Sequence, residues 1–321
     1  MPSHRDQIAS MVYMVRPADF TANKDTLADN AFQDAENIPH NAQELAVKEF
    51  DAFVSLLREN GILVAVVQDT PEPHTPDSIF PNNWFVTNSD GTLSVFRLFA
   101  KNRDLESRKP ELYNALIEAY RPAKIFDMRP IAEAKDAFLE GTGSMILDRY
   151  NDVAYACRSK RTDEGLFHRF CEERNYEPIL FDAVDENGMP IYHTNVMMAV
   201  AEDLAVICPD SISDPKDRER VLRKLEETGH ECVLISWAQL HAYAGNMLGV
   251  KNLLGQRFMV MSRQALLSLT PAQVAQISRK MGIIAPDLET IETLGGGSAR
   301  CMMGEVFAHK RVNTEYFSDE E

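Results

Sequence analysis

Asn195-Val196-Met197-Met198-Ala199-Val200-Ala201-Glu202-Asp203-Leu204-Ala205-Val206-Ile207 sets two short apolar runs on either side of an acidic pair. Runs of this length around a turn signal read as a β-hairpin. A charged stretch with apolar residues at helical spacing follows over 215–228, and Cys232-Val233-Leu234-Ile235 supplies a third apolar strand. Strand, strand, helix, strand is thus one unit, and it decides the fold because it recurs.

Outward from it, Ser144–Leu147 and Val153–Ala156 flank the turn 150–152, followed by a helix over 164–174 and a strand over 178–181. Further upstream, 83–88 and 93–98 flank Asp90-Gly91, before a helix-like segment from about Asp104 to Tyr120 and a strand over 123–126. Downstream, 247–250 pairs with 257–261, then come helices over 263–281 and a strand starting at Ile283-Ile284. The hairpin turns centre near 90, 151, 202 and 253, separations of 61, 51 and 51 residues. The chain ends hold a fifth unit in two pieces. Residues 300–307 give its opening strand, and 12–15, a helix over 42–60 and a strand over 62–67 give the rest. Pairing the two ends closes a ring and leaves no open sheet edge. The expected architecture is α/β, one domain over 1–321 with one unit shared between the N- and C-terminal segments. The competing reading is an ordinary α+β domain.

At 321 residues the chain is long enough for a substantial core, and its net charge of -16 opposes binding to a phosphate backbone. The expected partner is a small-molecule amino-acid substrate; no nucleic acid and no membrane are expected, and a homo-oligomer is compatible with the chain. The five cysteines show no CxxC or zinc-ligand spacing, and Met1–Asp6 carries no signal-peptide pattern. Both point to reduced thiols in a cytoplasmic protein. The eight histidines show no HExxH spacing, and no metal or other cofactor is implied.

Phase within the repeat marks the site. At or just before the first strand of each unit stand Asn83, Glu140, His193, Asn246 and Cys301, separated by 57, 53, 53 and 55 residues. Equivalent positions of a ring meet near its axis, so these five remote residues should line one pocket. Cys301 follows Gly295-Gly296-Gly297, a run that lets the backbone turn tightly against a ligand. Arg300 beside it, or a protonated histidine brought in by the fold, would favour the thiolate that nucleophilic attack requires. His193 suits general acid and base work, and Glu140 is an acceptor for paired N–H donors. Asp77, in the turn-rich run 76–84, is placed to share the pocket. Arg16 is the cation best suited to a substrate carboxylate. The other four cysteines read as packing.

Phe80-Pro-Asn-Asn-Trp84, Leu139-Glu-Gly-Thr-Gly143, His193-Thr-Asn195, Ala244-Gly-Asn-Met-Leu248 and Gly295-Gly-Gly-Ser-Ala-Arg-Cys-Met302 together resemble the guanidine-modifying (pentein) superfamily of arginine deiminases, dimethylarginine dimethylaminohydrolases and amidinotransferases. The resemblance implies a five-bladed α/β propeller of ββαβ units around a central pocket. It also implies a nucleophile at Cys301, an acid/base at His193 and a substrate-holding carboxylate at Glu140. Arginine deiminases carry aspartate where Asn83 and Asn195 stand. Asparagine offers an N–H donor and no charge, which suits a neutral ureido group better than a guanidinium. With the overall likeness to the citrulline-utilising branch, this makes citrulline the expected substrate. Arginine deiminase or dimethylargininase chemistry, and a non-catalytic amino-acid-binding propeller, are the alternatives.

Overall fold

A computed structural model of the chain describes residues 5–27, 30, 32–34 and 38–309. Their strands form five three-stranded sheets. One sheet joins β1 (Met11–Arg16) and β2 (Leu63–Gln68) to β15 (Gly304–Val306) from the far end of the chain. The others use consecutive strands. β3 (Phe85–Thr87), β4 (Thr92–Val95) and β5 (Lys124–Asp127) form one; β6 (Met145–Asp148), β7 (Val153–Cys157) and β8 (Glu177–Phe181) form the next. β9 (Met198–Val200), β10 (Leu204–Ile207) and β11 (Glu231–Leu234) follow, then β12 (Leu248–Lys251), β13 (Arg257–Val260) and β14 (Gly282–Ile284).

In every sheet the middle strand runs antiparallel to one neighbour and parallel to the other. A tight turn suffices for the antiparallel pair, whereas the parallel pair needs a crossover, which a helix supplies. The repeat is therefore the five-bladed α/β propeller that the sequence predicts, with its shared blade sealed by the register Met11↔Val306, Val12↔Glu305 and Tyr13↔Gly304.

The crossover helix Pro215–Glu227 shows why these stretches are helical. Asp214 caps it by accepting from the backbone N–H of Lys216, Pro215 opens it, and Val221 and Leu225, four apart, bury one stripe under an otherwise charged surface. β4, β7 and β10 are buried throughout, while β5 at the rim is half exposed.

Three expected boundaries shift. The helix expected from Asp104 begins at Pro110, because Lys109 before it is extended (φ -69°, ψ 119°), as a residue preceding proline tends to be. The strands expected from Asn83 and Asn195 begin at Phe85 and Met198, because single 3₁₀ turns occupy Pro81–Asn83 and Thr194–Val196. A short helical turn, Gly141–Ser144, takes the equivalent place before β6. Thr194 anchors its turn by donating to Ser144 O (2.6 Å) and accepting from Cys157 N (2.8 Å).

At the opposite, C-terminal ends of β6 and β9, Gln7 reaches into the axis. Its amide nitrogen donates to Leu147 O (3.0 Å) and Val200 O (3.3 Å), and its oxygen accepts from Arg149 N (2.5 Å) and Tyr150 N (3.2 Å). Among the described residues no helix is long and apolar enough to cross a membrane.

Candidate active site

The three short turns at Pro81–Asn83, Gly141–Ser144 and Thr194–Val196 sit together at one end of the axis. They pack closely enough that a side chain on Gly143 would put its Cβ 2.2 Å from Asn83 Nδ2 and 2.8 Å from His193 Nδ1. Glycine at 143 is thus what allows Asn83 and His193 to flank one space. Gly296 (φ +63°) ends the helix Glu289–Gly295 with a left-handed residue and turns the chain toward Cys301.

Asp77, Asn83, His193 and Cys301 all line one small cavity of about 20 Å³, together with Thr26, Phe80, Arg103, Arg161, Tyr192 and Gly295–Gly297. That is room for roughly one water. A larger cavity of about 420 Å³ between Tyr120, Phe307 and His309 contains none of these residues.

Glu140 lies fully buried behind His193. Its Oε2 is 2.6 Å from His193 Nε2, its Oε1 accepts from Phe99 N at 2.7 Å, and Arg161 Nη1 is 3.8 Å away. Burial alone would push this carboxyl up, but Arg161, His193 and Arg103 outweigh it and hold Glu140 down at about 2. An ionised Glu140 can only accept, so His193 Nε2 carries the proton and Nδ1 is the basic nitrogen. Burial pushes the imidazole below its ordinary range, assisted by Arg161 and Arg103 and opposed by Glu140. Both carboxylate oxygens thus serve the scaffold and the histidine. The sequence expectation is that Glu140 accepts from substrate N–H groups; here its two oxygens face Phe99 N and His193, and it stands outside the cavity lining.

Asn195 and Asn246 are set behind the sulfur. Asn246 Nδ2 stands 3.2 Å and Asn195 Nδ2 3.6 Å from Cys301 Sγ, and both can donate to it. Neither is part of the cavity lining expected of them; both stand against the Cys301 sulfur. Arg300 does not turn to the thiol: it donates to Met303 O (2.9 Å) and Glu305 Oε2 (2.7 Å), leaving the amides of Asn195 and Asn246 as the donors next to sulfur. Arg16 is also displaced from its expected place. It sits at the end of β1, one-third exposed, paired with Asp51 at 2.8 Å and Gln68 at 2.9 Å, outside the cavity lining.

Two cations that sequence reading missed stand on the wall instead. Arg161, in Ser159-Lys160-Arg161-Thr162, lies with its guanidinium over the Tyr192 ring at 4.9 Å. Arg103 donates to Asn83 Oδ1 (3.0 Å), Phe80 O (3.0 Å) and both oxygens of Glu106 (2.8 and 3.2 Å). Nothing in the local sequence separates either from the many surface arginines. Asp77 accepts from Asn23 Nδ2 through Oδ2 (2.7 Å), while its buried Oδ1 has no hydrogen-bond partner among the described residues. Burial pushes Asp77 above the ordinary carboxylate range, against the opposing effect of Arg103 and Asn23.

A buried carboxylate, a histidine and a cysteine, in that chain order on a five-bladed propeller, define the pentein class of hydrolases that cleave carbon–nitrogen bonds other than peptide bonds through a thiol. The family model described as "N,N dimethylarginine dimethylhydrolase, eukaryotic" matches residues 16–308, and the chain belongs to that family. Among solved structures it is similar to the N-terminal domain of ArgZ, an arginine dihydrolase of the cyanobacterial ornithine–ammonia cycle (TM-score 0.73, 15% identity, 93% of this chain and 98% of that one). It is also similar to AgrE (0.72, 17%, 94% and 40%) and to the dimethylarginine dimethylaminohydrolase of Pseudomonas aeruginosa with citrulline bound (0.65, 14%, 93% and 99%). No match to a curated protein was found by sequence.

Proposed function

We propose that the chain hydrolyses the ureido C–N bond of citrulline to ornithine, carbon dioxide and ammonia. The observation that carries this reading is Asn83 Nδ2, a buried donor on the cavity wall with no acceptor among the described residues. A ureido oxygen accepts such a bond; a guanidinium carries donors only and leaves it unmet.

In this reading His193 Nδ1 takes the thiol proton, and the amides of Asn195 and Asn246 stabilise the thiolate of Cys301. Sulfur bonds to the ureido carbon, whose oxygen accepts from Asn83, while Asp77 Oδ1 accepts from substrate N–H. The imidazolium, steadied by Glu140, gives its proton to the δ-nitrogen as the C–N bond breaks and ornithine departs. Neutral His193 then deprotonates a water that adds to the S-carbamoyl carbon. The thiolate leaves with carbamate as product, which decays to carbon dioxide and ammonia. Arg161 takes the place expected of Arg16 as the cation facing the substrate carboxylate. At about 20 Å³ the cavity is smaller than an amino acid, so substrate binding requires its lining to widen. All five cysteines are free thiols, which supports the cytoplasmic setting.

A second reading, cleavage of a guanidino group as in arginine deiminase or dimethylarginine dimethylaminohydrolase, is favoured by the Asp77 acceptor, which has no donor among the described residues. Purified protein incubated separately with citrulline, arginine and dimethylarginine, with ornithine and citrulline quantified, separates the two. The expected outcome is ornithine from citrulline, abolished by Cys301→Ser. Citrulline appearing from arginine or dimethylarginine, with citrulline itself inert, would overturn the assignment.

A further inference from the structure

We infer that Arg103 selects ureido over guanidino substrates by locking the Asn83 amide with its NH₂ toward the cavity, an inference that rests on the citrulline reading above. Arginine presents five N–H donors and no acceptor, so the end of an amide that meets it has to be the oxygen. Arg103 Nη1 donates to Asn83 Oδ1 at 3.0 Å. The guanidinium has no freedom to turn away, because Nε and Nη2 are forked on Glu106 at 2.8 and 3.2 Å and Nη2 also donates to Phe80 O at 3.0 Å. Arg103 and Glu106 are both buried, at 4% and 0% exposure.

The opposite end of the Asn83 amide is therefore Nδ2, standing beside the His193 ring where the closeness of both to Gly143 places it. A flipped amide would bring two buried donors face to face and break the Arg103 bond, so the orientation is fixed before substrate arrives. The ureido oxygen then meets a preset donor. A guanidinium placed there would set N–H against N–H and leave both without an acceptor. Arg103 is thus a positioning residue: it acts on the substrate through Asn83 and sets the polarity of the wall.

The test compares kcat/KM for citrulline and for arginine in the wild type, in Arg103→Gln/Glu106→Gln, in Asn83→Asp and in the combined variant. Neutralising Arg103 and Glu106 together avoids a lone buried charge, and a glutamine can either donate or accept, so the lock is lost. The ratio of citrulline to arginine should fall about tenfold or more, the scale of one unmet buried hydrogen bond. Asn83→Asp, which offers only acceptors, should shift the ratio the same way. In the combined variant the two effects should not multiply, because no amide remains to orient. A ratio unchanged within about twofold in Arg103→Gln/Glu106→Gln, both substrates losing rate alike, reduces Arg103 to a structural support and overturns the inference; so do two effects that multiply. If the double substitution does not fold, Asn83→Asp alone decides: an unmoved ratio refutes it. Should wild-type protein leave citrulline intact, the substrate reading fails. The lock is then judged by dissociation constants of citrulline and arginine in Cys301→Ser with and without Arg103→Gln/Glu106→Gln, where a shifted ratio sustains it and an unmoved ratio ends it.

Discussion

Glu140 and His193 titrate against each other and against two buried cations, Arg161 and Arg103. The sign of each effect can be read from the geometry. Burial and the arginines disfavour the imidazolium, so the folded histidine sits below about 6.5, the ordinary value. The catalytically useful neutral form is lost only as pH falls through that lowered value, so the acid limb of kcat/KM against pH should lie below 6.5. Glu140 is the group that pulls the other way. Glu140→Gln should move the limb to still lower pH and cut kcat by about 10²-fold or more, because the imidazolium loses its counter-charge and its fixed tautomer. A pH–rate profile of the two proteins checks this, and an unmoved limb would detach Glu140 from the histidine. Cys301, His193 and Glu140 were legible in the sequence as a constellation because each falls at the same phase of the repeat. The division of labour among them was not. It depends on which nitrogen faces which oxygen: both Glu140 oxygens are engaged, one by Phe99 N and one by His193 Nε2.

Among the elements, the segment from Asp69 to Phe80 carries Asp77 to the cavity without regular structure of its own before the turn at Pro81. A buried ion pair holds it. Lys109 Nζ donates to Asp69 Oδ1 (2.7 Å) and Thr70 O (2.7 Å), and Asp69 Oδ2 accepts from Ser78 (2.6 Å) and Thr75 (3.3 Å). Both charged side chains are buried, at 0% and 3% exposure. Removing one partner strands the other, so Lys109→Met should cost about 3–5 kcal/mol and raise KM by loosening Asp77. Denaturant titration and steady-state kinetics read the two effects separately. Tertiary packing also sets where these strands begin. Apolar runs announce strands, but the turns at Pro81–Asn83 and Thr194–Val196 look like strand starts in sequence, since Asn and Thr are tolerated in both. What makes them turns is packing: Thr194 is tied to Ser144 and Cys157, some 50 and 37 residues away.

For the whole molecule, the ring is held at the end remote from the cavity by Gln7, whose amide spends two donor bonds and two acceptor bonds on the chains leaving β6 and β9. Gln7→Leu keeps the bulk but leaves those carbonyls and N–H groups without partners, so stability should fall by about 2–4 kcal/mol. Turnover should hold within about twofold at temperatures where the variant is folded, because the reacting groups lie at the other ends of the same strands. Thermal melting and a rate assay at low temperature test both halves. The sequence by itself determined the blades, their order, the split fifth blade and the meeting of Cys301 and His193 at one cavity, because hydrophobic period and the spacing of equivalent residues are one-dimensional signals. Only the tertiary structure decided which cations face the cavity. Arg16 lay near a motif and turned out to serve the surface, while Arg103 and Arg161 carried no local mark. An arginine's role is set by which way its long side chain points once blades far apart in the chain have closed around it.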